Sequence, residues 1–342
     1  MIKVAINGFG RIGRVAFRAA CERYGDKIEI VAINTSGSMD AHGWAHLLKY
    51  DSVYGRFREE IGVMDGGKGE IGRLIIGGRI FPVLAEKVPG KIPWEKYQTD
   101  VVLESTGIFL KTKDCEGHLK AGAKKVIISA PAKDKDTPTY VIGANAHLYK
   151  GERIVSNASC TTNCIAPLVK IMKENFKVGR VSMTTIHAYT ADQELVDGSH
   201  KDLRRARSAA LNIVPTSTGA AEALGRVLPS VQGNFAGMAI RVPVACGSLA
   251  DFIFILDHSA RAEKVNHVFD QAAGGEYAGI VEATYDPIVS SDIVGSSASA
   301  TVDLSLTEVV GGNMVKVVAW YDNEYGYACR LVELAGIIGG QK

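Results

Sequence analysis

Three glycines near the N-terminus constrain the fold of this chain more than any other feature. Gly8, Gly10 and Gly13 follow the apolar segment IKVAIN and open RIGRVAFRAACER, which has helical spacing. In this setting the first glycine permits a tight turn, the second lets the backbone approach a pyrophosphate, and the third allows close helix–strand packing. The phosphates would lie on free N–H groups of the helix N-terminus. Glycines also make ordinary turns, but the strand–turn–helix setting favours dinucleotide binding.

The first half of the chain alternates between strand-like and helix-like segments. IEIVAIN, DVVLES and KVIISA are typical of buried strands, and TKDCEGHLKAG has helical spacing. This alternation predicts an α/β domain with a Rossmann-type, doubly wound parallel sheet. The segment RLIIGGRIFPVL predicts an antiparallel hairpin that turns at Gly77 and Gly78.

The second half carries longer strand-like segments, among them RVSMTTIHAY, SLADFIFILD and NMVKVVAWYD. They predict an α+β domain with a mainly antiparallel sheet, whose last two strands meet at Gly311 and Gly312. CTTNCIAPLVKIMKENF and ARAEKVNHVFDQAA have helical spacing and would cover that sheet. We predict a nucleotide-binding domain at 1–159, a catalytic domain at 160–322, and a C-terminal helix at 323–342 that packs back on the nucleotide-binding domain.

Composition narrows the classes of function. The formal net charge is +2, which argues against nucleic-acid binding as a main role. The N-terminus enters a strand without a secretory leader, and no apolar run reaches the ~18 residues that suggest a membrane span. The six cysteines form no CxxC pair, so a disulfide framework and a structural zinc site are poor interpretations. We expect a cytoplasmic protein with reduced thiols and no metal.

Cys160 lies in SNASCTTNC, immediately before a segment with helical spacing. A helix N-terminus favours a thiolate, and thiols in such settings can have a pKa of roughly 3.5–7.5. His187 lies in TTIHAYT, near the end of a strand-like segment, and could serve that thiol as acid–base catalyst. A packing cysteine and a structural histidine are the competing interpretations, and Cys164 fits the packing role.

Taken together, these segments closely resemble phosphorylating glyceraldehyde-3-phosphate dehydrogenase. INGFGRIGR, HLLKYDSVYGRF, SNASCTTNC, HAYT, HKDLRRARSAALNIVPTSTGAA and YDNEYGY occur in order along effectively the whole chain. The resemblance implies that the Cys160 thiolate attacks the aldehyde of glyceraldehyde 3-phosphate, and that His187 takes the hydroxyl proton as hydride leaves for the nicotinamide. Inorganic phosphate would cleave the thioester to give 1,3-bisphosphoglycerate. The resemblance also implies a homotetramer.

Binding residues follow from the resemblance by matching positions. The substrate phosphate would be held by Thr190, Arg205 and Arg241. The attacking phosphate would lie near Ser159, Thr161, Thr218 and Gly219, with Arg205 at its border. On the cofactor side the resemblance implies Arg11 and Ile12 at the pyrophosphate, Lys87 at the adenine pocket, Ser129 towards the nicotinamide ribose, and Asn323 at the carboxamide. An exposed loop lysine is the competing interpretation of Lys87.

The chain departs from NAD-specific members of this family at the adenosine ribose. The fingerprint expects an acidic residue about 20 residues beyond the glycines, but Asn34, Thr35 and Ser36 end that strand. A carboxylate about 4 Å from a 2′-phosphate would cost roughly 1–4 kcal/mol, so its absence permits NADP. NAD is not excluded, because Thr35 can still bond a 2′-hydroxyl. We predict NADP preference or dual use.

A second departure concerns Gly198 and Ser199, which stand where NAD-specific members carry Leu-Pro. In the family's tetramer this loop reaches the adenosine pocket of an adjacent subunit. We predict that the 2′-phosphate is received by Ser36, Ser199 and Lys87.

Two alternatives stay open. Erythrose-4-phosphate dehydrogenase shares SNASCTTN but departs from HAYT and PTSTGAA, which are both intact here. A nucleic-acid-binding module could use the basic run Lys201–Arg207. That run is equally typical of a solvated helix face or loop.

Overall fold

The computed structural model describes residues 1–341, which form two compact units. The first unit comprises Met1–Tyr140, Leu148–Ala158 and the chain from Ala328 onward, and the second comprises Val141–His147 and Ser159–Tyr327. The first unit holds an eight-stranded sheet and a two-stranded sheet, and the second unit holds a seven-stranded sheet. None of the helices within residues 1–341 is both long and apolar enough to cross a membrane.

The first unit is a doubly wound α/β structure, as the sequence predicts. Its strands are β1 (Ile2–Asn7), β2 (Ile28–Asn34), β3 (Tyr50–Asp51), β4 (Gly55–Arg56), β5 (Ile61–Met64), β6 (Gly72–Ile76), β7 (Arg79–Leu84), β8 (Val101–Glu104), β9 (Lys125–Ile128) and β10 (Ile154–Ser156), and its helices are α1 (Arg11–Arg23), α2 (Ala41–Lys49) and α3 (Thr112–Lys120). Eight strands form one sheet in the order β10-β9-β8-β1-β2-β7-β6-β5. The pairs from β10 to β7 are all parallel. Since β8 is buried along its whole length, its apolar run is that of a strand covered on both faces.

The predicted hairpin is confirmed as the antiparallel pair β6 and β7. Ile76 pairs with Arg79, which leaves Gly77 and Gly78 as a two-residue loop. Their φ angles are 55° and 75°, in the left-handed region that a type I′ hairpin turn requires at both positions.

The second unit is built on a seven-stranded, mainly antiparallel sheet. Its strands are β11 (Val178–Ala188), β12 (Val214–Thr216), β13 (Phe235–Val242), β14 (Ser248–Leu256), β15 (Val281–Thr284), β16 (Ala300–Val310) and β17 (Met314–Tyr321), and its helices are α4 (Cys160–Asn175), α5 (Ala220–Val227) and α6 (Ala262–Gly274). The order is β12-β13-β11-β14-β17-β16-β15, with parallel pairing only for β11–β13 and β15–β16 within the described chain. Burial alternates along β14, so one face of the sheet forms the core.

The C-terminal helix α7 (Tyr325–Gly340) makes its contacts in the first unit from residue 328 onward. Lys125 Nζ donates to the carbonyl of Ile338 at 2.6 Å, beside the end of the parallel sheet. The Tyr24 hydroxyl donates to the Glu333 carboxylate at 2.6 Å. Gly339 must be small, because a Cβ there would lie 2.4 Å from Cγ2 of Ile2.

Candidate active site

A cleft of about 360 Å³ in the first unit brings together half of the predicted dinucleotide residues. The predicted residues in its lining are Gly8, Gly10, Asn34, Thr35, Ser36 and Lys87. The other predicted cofactor residues are outside that lining: Arg11, Ile12, Gly13 and Ser129 belong to the same unit, and Ser199 and Asn323 belong to the second unit.

The structural requirement for glycine differs among the three positions of the loop. Gly8 has a φ of 95°, and a Cβ there would lie 2.6 Å from the backbone N of Thr106. A Cβ on Gly13 would lie 2.1 Å from the carbonyl O of Gly8, so close packing excludes it. A Cβ on Gly10 would meet no atom within 4 Å. The fold therefore does not require glycine at position 10, and the open space beside it fits a ligand that approaches the backbone.

The start of α1 suits an anion. Gly10 is its N-cap, no side chain caps the helix, and its first turn holds no acidic residue. Uncapped N–H groups and the helix dipole attract phosphate at such a terminus. Arg11 begins this helix, but its guanidinium pairs with Asp51 and lies 5.2 Å from the ring centre of Tyr54. The group of Arg11 that is left to contact a pyrophosphate is therefore its backbone N–H, and not its guanidinium.

Thr35 is 2% exposed, and its hydroxyl already makes two hydrogen bonds within the chain. The hydroxyl donates to the carbonyl of Leu84 at 3.0 Å and accepts from the N–H of Gly37 at 3.2 Å. Because a hydroxyl has one proton and two lone pairs, Thr35 can bond a ribose 2′-hydroxyl in this conformation only as an acceptor, through its remaining lone pair. The neighbouring Ser36 is exposed, and its hydroxyl bonds Ser38 at 2.9 Å.

Glu86 and Trp44 are among the cleft residues that sequence reasoning missed. One carboxylate oxygen of Glu86 accepts from the N–H of Val88 at 2.8 Å. The carboxylate places a negative charge at the rim of the cleft, next to Lys87 in the chain. The buried indole N–H of Trp44 has no acceptor among residues 1–341. Neither residue was recognisable from the sequence, because the signal for each is its position in the folded cleft.

In the second unit, Cys160 is the first residue of α4, as predicted. The N-cap Ser159 accepts from the backbone N–H of Thr162 at 3.1 Å. The preceding Ala158 is buried with a φ of 56°, a left-handed conformation that costs a non-glycine residue of the order of 1–3 kcal/mol. Cys160 Sγ lies 3.4 Å from Nε2 of His187, which confirms that the chain brings this pair together.

Arg241 completes the surroundings of the histidine. In the parallel pairing of β11 with β13, His187 and Arg241 are direct partners. Arg241 Nη1 lies 2.5 Å from His187 Nδ1 and 3.0 Å from the carbonyl O of Ala188. The same Nδ1 lies 2.6 Å from the Ala188 carbonyl. An unprotonated Nδ1 accepts from Arg241, whereas a protonated Nδ1 donates to Ala188, so Arg241 helps to decide the tautomer.

Burial shifts both members of the pair towards their neutral forms. It lowers the pKa of His187 to about 3, and the positive charge of Arg241 lowers that pKa further. Burial also raises the pKa of the Cys160 thiol, although Arg241 and the hydrogen bonds of Thr161 act in the opposite direction. The expected low thiol pKa is therefore wrong for the unliganded chain, since desolvation outweighs the helix N-terminus.

Thr190 and Arg205, two predicted ligands of the substrate phosphate, both contact Asp192. Sequence reasoning missed this acidic residue. Asp192 accepts from the Thr190 hydroxyl through one oxygen and pairs with Arg205 through the other. Arg205 also donates to the Thr216 hydroxyl at 3.0 Å and to the Ser217 carbonyl at 3.2 Å. The carboxylate of Asp192 thus accepts hydrogen bonds from the Thr190 hydroxyl and the Arg205 guanidinium, the same donors that a bound phosphate would need. Its place two residues after Thr190 was the available signal.

The predicted site of the attacking phosphate is only partly free. The Thr161 hydroxyl bonds the buried hydroxyl of Tyr321 at 3.1 Å, so it points into the core. The Thr218 hydroxyl accepts from the N–H of Ala220 at 3.2 Å. Gly219 is exposed, and a Cβ there would meet nothing within 4 Å. Arg205 contacts Ser217, so it lies beside this segment, as expected.

The remaining predicted residues lie at element ends. Ser129 follows β9, and its N–H donates to the carbonyl of Glu104 at 2.9 Å. Ser199 is exposed in the loop between β11 and β12. Asn323 is buried just after β17, where it contacts Ser248 at 2.9 Å. Across residues 1–341, no three His, Cys, Asp or Glu side chains are arranged to hold a metal ion.

The chain matches two domain families. Residues 2–112 match the glyceraldehyde 3-phosphate dehydrogenase NAD binding domain, and residues 159–323 match the glyceraldehyde 3-phosphate dehydrogenase C-terminal domain. The chain is 49% identical over 342 residues to glyceraldehyde-3-phosphate dehydrogenase 2 of Streptomyces avermitilis, with 99% of each chain covered. It is 50% identical over 337 residues to glyceraldehyde-3-phosphate dehydrogenase 1 of Bacillus cereus, with 98% of each covered. It is 47% identical over 337 residues to the chloroplastic glyceraldehyde-3-phosphate dehydrogenase A of Chlamydomonas reinhardtii, covering 98% of this chain and 88% of the relative.

Proposed function

Since the chain belongs to the glyceraldehyde-3-phosphate dehydrogenase family, we propose that it oxidises D-glyceraldehyde 3-phosphate to 1,3-bisphosphoglycerate with NAD(P)+ and inorganic phosphate. The observation that carries this proposal is the 3.4 Å approach of Cys160 Sγ to His187 Nε2 at a helix N-terminus. A thiol with an adjacent base is the arrangement needed for a covalent acyl intermediate.

Cys160 Sγ attacks the aldehyde carbon: a carbon–sulfur bond forms, the π bond of the carbonyl opens, and the thiol proton passes to the oxygen, which gives a hemithioacetal. His187 Nε2 then takes the proton of the hemithioacetal hydroxyl, the carbon–hydrogen bond of that carbon breaks with loss of hydride, and the carbonyl re-forms as a thioester. The nicotinamide supplies the hydride acceptor. Inorganic phosphate attacks the resulting thioester, the carbon–sulfur bond breaks, and Cys160 is released.

Arg241 connects substrate binding to the state of the base. In the unliganded arrangement its Nη1 faces Nδ1 of His187 at 2.5 Å, which favours the tautomer with its proton on Nε2, towards sulfur. A substrate phosphate that draws Arg241 away leaves Nδ1 to donate to the Ala188 carbonyl at 2.6 Å. Nε2 then presents a lone pair to the reacting hydroxyl. Removal of the positive charge also raises the pKa of His187.

Two anion sites follow from the donors around the sulfur. Thr190, Arg205 and Arg241 hold the substrate phosphate once Asp192 has yielded its two partners, and planar guanidinium groups suit phosphate oxygens. Inorganic phosphate is received at Ser159, Thr161, Thr218 and Gly219. Since the Thr161 hydroxyl is bonded to Tyr321, its contribution there is its backbone N–H.

The dinucleotide binds in the cleft of the first unit, and the chain accepts NADP as well as NAD. Support comes from the open space beside Gly10, from the absence of an acidic residue at Thr35, and from Ser36 and Lys87 in the same lining. Ser199 contributes to the 2′-phosphate from a neighbouring subunit. The carboxylate of Glu86 at the same rim opposes a strong NADP preference, so dual use is the better-supported form of the proposal.

A homotetramer is part of the same proposal. The segment from 195 to 213 exposes five large apolar side chains, each between 70% and 82% accessible: Leu195, Val196, Leu203, Leu211 and Ile213. Apolar side chains clustered in this way mark surfaces that bind another protein. Light scattering on the purified protein tests the assembly. The cytoplasmic localisation stays a prediction from the sequence.

A phosphate-dependent assay tests the proposed function. With glyceraldehyde 3-phosphate and either cofactor, reduction of the nicotinamide should require inorganic phosphate for sustained turnover, and Cys160→Ala should abolish it. Erythrose 4-phosphate, assayed alongside, should be the poorer substrate. Sustained turnover without phosphate, or higher kcat/KM for erythrose 4-phosphate, contradicts the proposal. Salt-dependent nucleic-acid binding that survives Cys160→Ala would support the alternative role of Lys201–Arg207.

A further inference from the structure

Four hydrogen-bonding groups converge on Glu104, a buried carboxylate at the end of β8. One carboxylate oxygen accepts from the backbone N–H of Thr106 at 2.9 Å and from the hydroxyl of the same residue. The other oxygen accepts from the side-chain amide of Asn7 at 2.6 Å and lies 3.0 Å from Nε2 of His118. Glu104 is 2% exposed, and a charge buried to that extent is stable only where hydrogen bonds replace its water.

Trp94 decides which nitrogen of His118 carries the proton. Its indole N–H donates to Nδ1 of His118 at 2.9 Å, and both side chains are fully buried. An indole N–H can only donate, so Nδ1 is unprotonated. The proton of the neutral ring therefore lies on Nε2, where it points to Glu104. Trp94 thus makes the histidine a donor to the carboxylate.

The Asn7 amide is fixed as a donor from its other side. Its Oδ1 accepts from the amide of Asn34 at 2.7 Å. The Asn34 amide in turn accepts from the backbone N–H of Glu86 at 2.9 Å and donates to the Glu86 carbonyl at 2.8 Å. Backbone groups cannot exchange these roles, so neither amide can flip. Three donors that cannot reverse therefore face Glu104: the amide of Asn7, Nε2 of His118 and the N–H of Thr106.

The loop from 105 to 109 connects this carboxylate to the dinucleotide cleft. The loop residues in the cleft lining are Ser105, Thr106, Ile108 and Phe109. The Thr106 hydroxyl that donates to Glu104 also accepts from the N–H of Ile108 at 3.1 Å, so the carboxylate holds two residues of the wall. The ring of Phe109 lies edge-on to that of His118, with centroids 6.3 Å apart. The described lining includes none of Trp94, His118 and Glu104, so these residues act on the cleft through the loop.

We propose that Trp94, His118 and Glu104 form a buried relay that positions the loop from 105 to 109 for dinucleotide binding. The loop is held by a carboxylate that must stay an acceptor, and Trp94 keeps His118 in the one tautomer that donates to it. The proposal rests on the proposed function for the identity of the ligand. Since the relay acts on the cleft through this loop, its loss should raise the KM for the cofactor and leave kcat almost unchanged.

Binding of ADP-ribose measures this effect without turnover, because ADP-ribose has the adenosine and pyrophosphate of the cofactor and lacks its nicotinamide. His118→Phe keeps an aromatic ring but gives Glu104 no donor and Trp94 no acceptor. Its Kd for ADP-ribose in calorimetry should rise about tenfold, and the amide hydrogens of residues 105–109 should exchange faster. In His118→Gln one amide can both donate to Glu104 and accept from Trp94. Both measurements should then stay near those of the original chain.

A double-mutant cycle tests the directions of the hydrogen bonds. In Glu104→Gln the new NH2 group must face either the N–H of Thr106 or the donors of Asn7 and His118, so the Kd for ADP-ribose should rise at least about tenfold. Trp94→Phe by itself should raise that Kd about threefold. In the double variant His118 no longer faces an indole N–H, so it can carry its proton on Nδ1 and accept from the new NH2 group at Nε2. The second substitution should therefore add no further loss.

Thr99→Val is the matched control, because it removes a buried hydroxyl of the same unit that has no partner among residues 1–341. It should change neither the Kd for ADP-ribose nor the exchange rates of the loop.

Losses that add in the double variant would overturn the proposal, as would unchanged exchange of the loop in His118→Phe. A fall in kcat as large as the rise in cofactor KM would overturn it too, because that pattern indicates a general loss of structure. If the original chain did not bind ADP-ribose, the proposed function would be contradicted, whereas the exchange rates would still decide whether the relay holds the loop.

Discussion

Replacing Thr35 by Asp should lower kcat/KM for NADP much more than kcat/KM for NAD. Thr35 directly follows β2 in the wall of the cleft, and its hydroxyl donates to the carbonyl of Leu84 at 3.0 Å. A carboxylate cannot make that bond, so repulsion from the carbonyl turns it away from Leu84. The N–H of Gly37, now 3.2 Å from the hydroxyl, is the nearest donor that could hold the new group.

The size of the effect follows from Coulomb's law. A carboxylate about 4 Å from a 2′-phosphate costs about 1 kcal/mol per charge pair in water and about 4 kcal/mol at a surface-like dielectric constant. With 1.4 kcal/mol per decade, NADP should lose between about fivefold and several-hundredfold in kcat/KM. NAD has no phosphate there, so its kcat/KM should change much less. The cost of losing the Leu84 bond affects both cofactors and cancels in their ratio.

The assay is the ratio of kcat/KM for NADP to that for NAD in the original chain, in Thr35→Asp and in Thr35→Asn. The Asn variant has the same shape without the charge and keeps an N–H donor for Leu84. It should retain most of the original ratio. If the Asn variant loses NADP use as severely as the Asp variant, shape rather than charge controls the cofactor, and the electrostatic reasoning is refuted.

Three further predictions concern the second unit. Ser159→Ala should lower the free energy of unfolding by ~1 kcal/mol in calorimetry, because the cap on the Thr162 N–H is lost, whereas Ser159→Asp should keep the cap and raise the KM for inorganic phosphate. Asp192→Asn should lower the KM for glyceraldehyde 3-phosphate by about three- to tenfold, since Arg205 loses its internal competitor; a higher KM would make Asp192 a positioning residue instead. Because burial raises the pKa of the Cys160 thiol, its alkylation by iodoacetamide without phosphate should still accelerate above the ordinary value of about 8.5, and a rate that levels off below pH 7 would contradict this.

The features that the sequence predicted well are those set by local chemistry. Two consecutive glycines between strands require left-handed backbone, so the turn at Gly77 and Gly78 was predictable. The same holds for the start of α1 at the glycine loop and for the start of α4 beside Ser159. In each case the residue types that cap, turn or pack are adjacent in the chain.

The features that the sequence did not predict depend on strand register and burial. Arg241 lies beside His187 only because β11 and β13 pair in parallel at that register. Likewise, β2 and β7 pair so that Leu84 lies beside the end of β2. The Thr35 hydroxyl therefore donates its proton to the Leu84 carbonyl and not to a ligand in the cleft. The thiol pKa was misjudged because desolvation is a property of the whole fold, whereas the helix N-terminus is visible in a few residues.

Trapping the acyl intermediate tests the central claim most directly. The protein is incubated with glyceraldehyde 3-phosphate and cofactor in phosphate-free buffer, quenched in acid, and its peptides are weighed by mass spectrometry. We predict a 3-phosphoglyceroyl adduct on Cys160, approaching one per chain, that disappears when inorganic phosphate is added before the quench. Product formation at full rate without any adduct on Cys160, or in Cys160→Ala, would contradict the account.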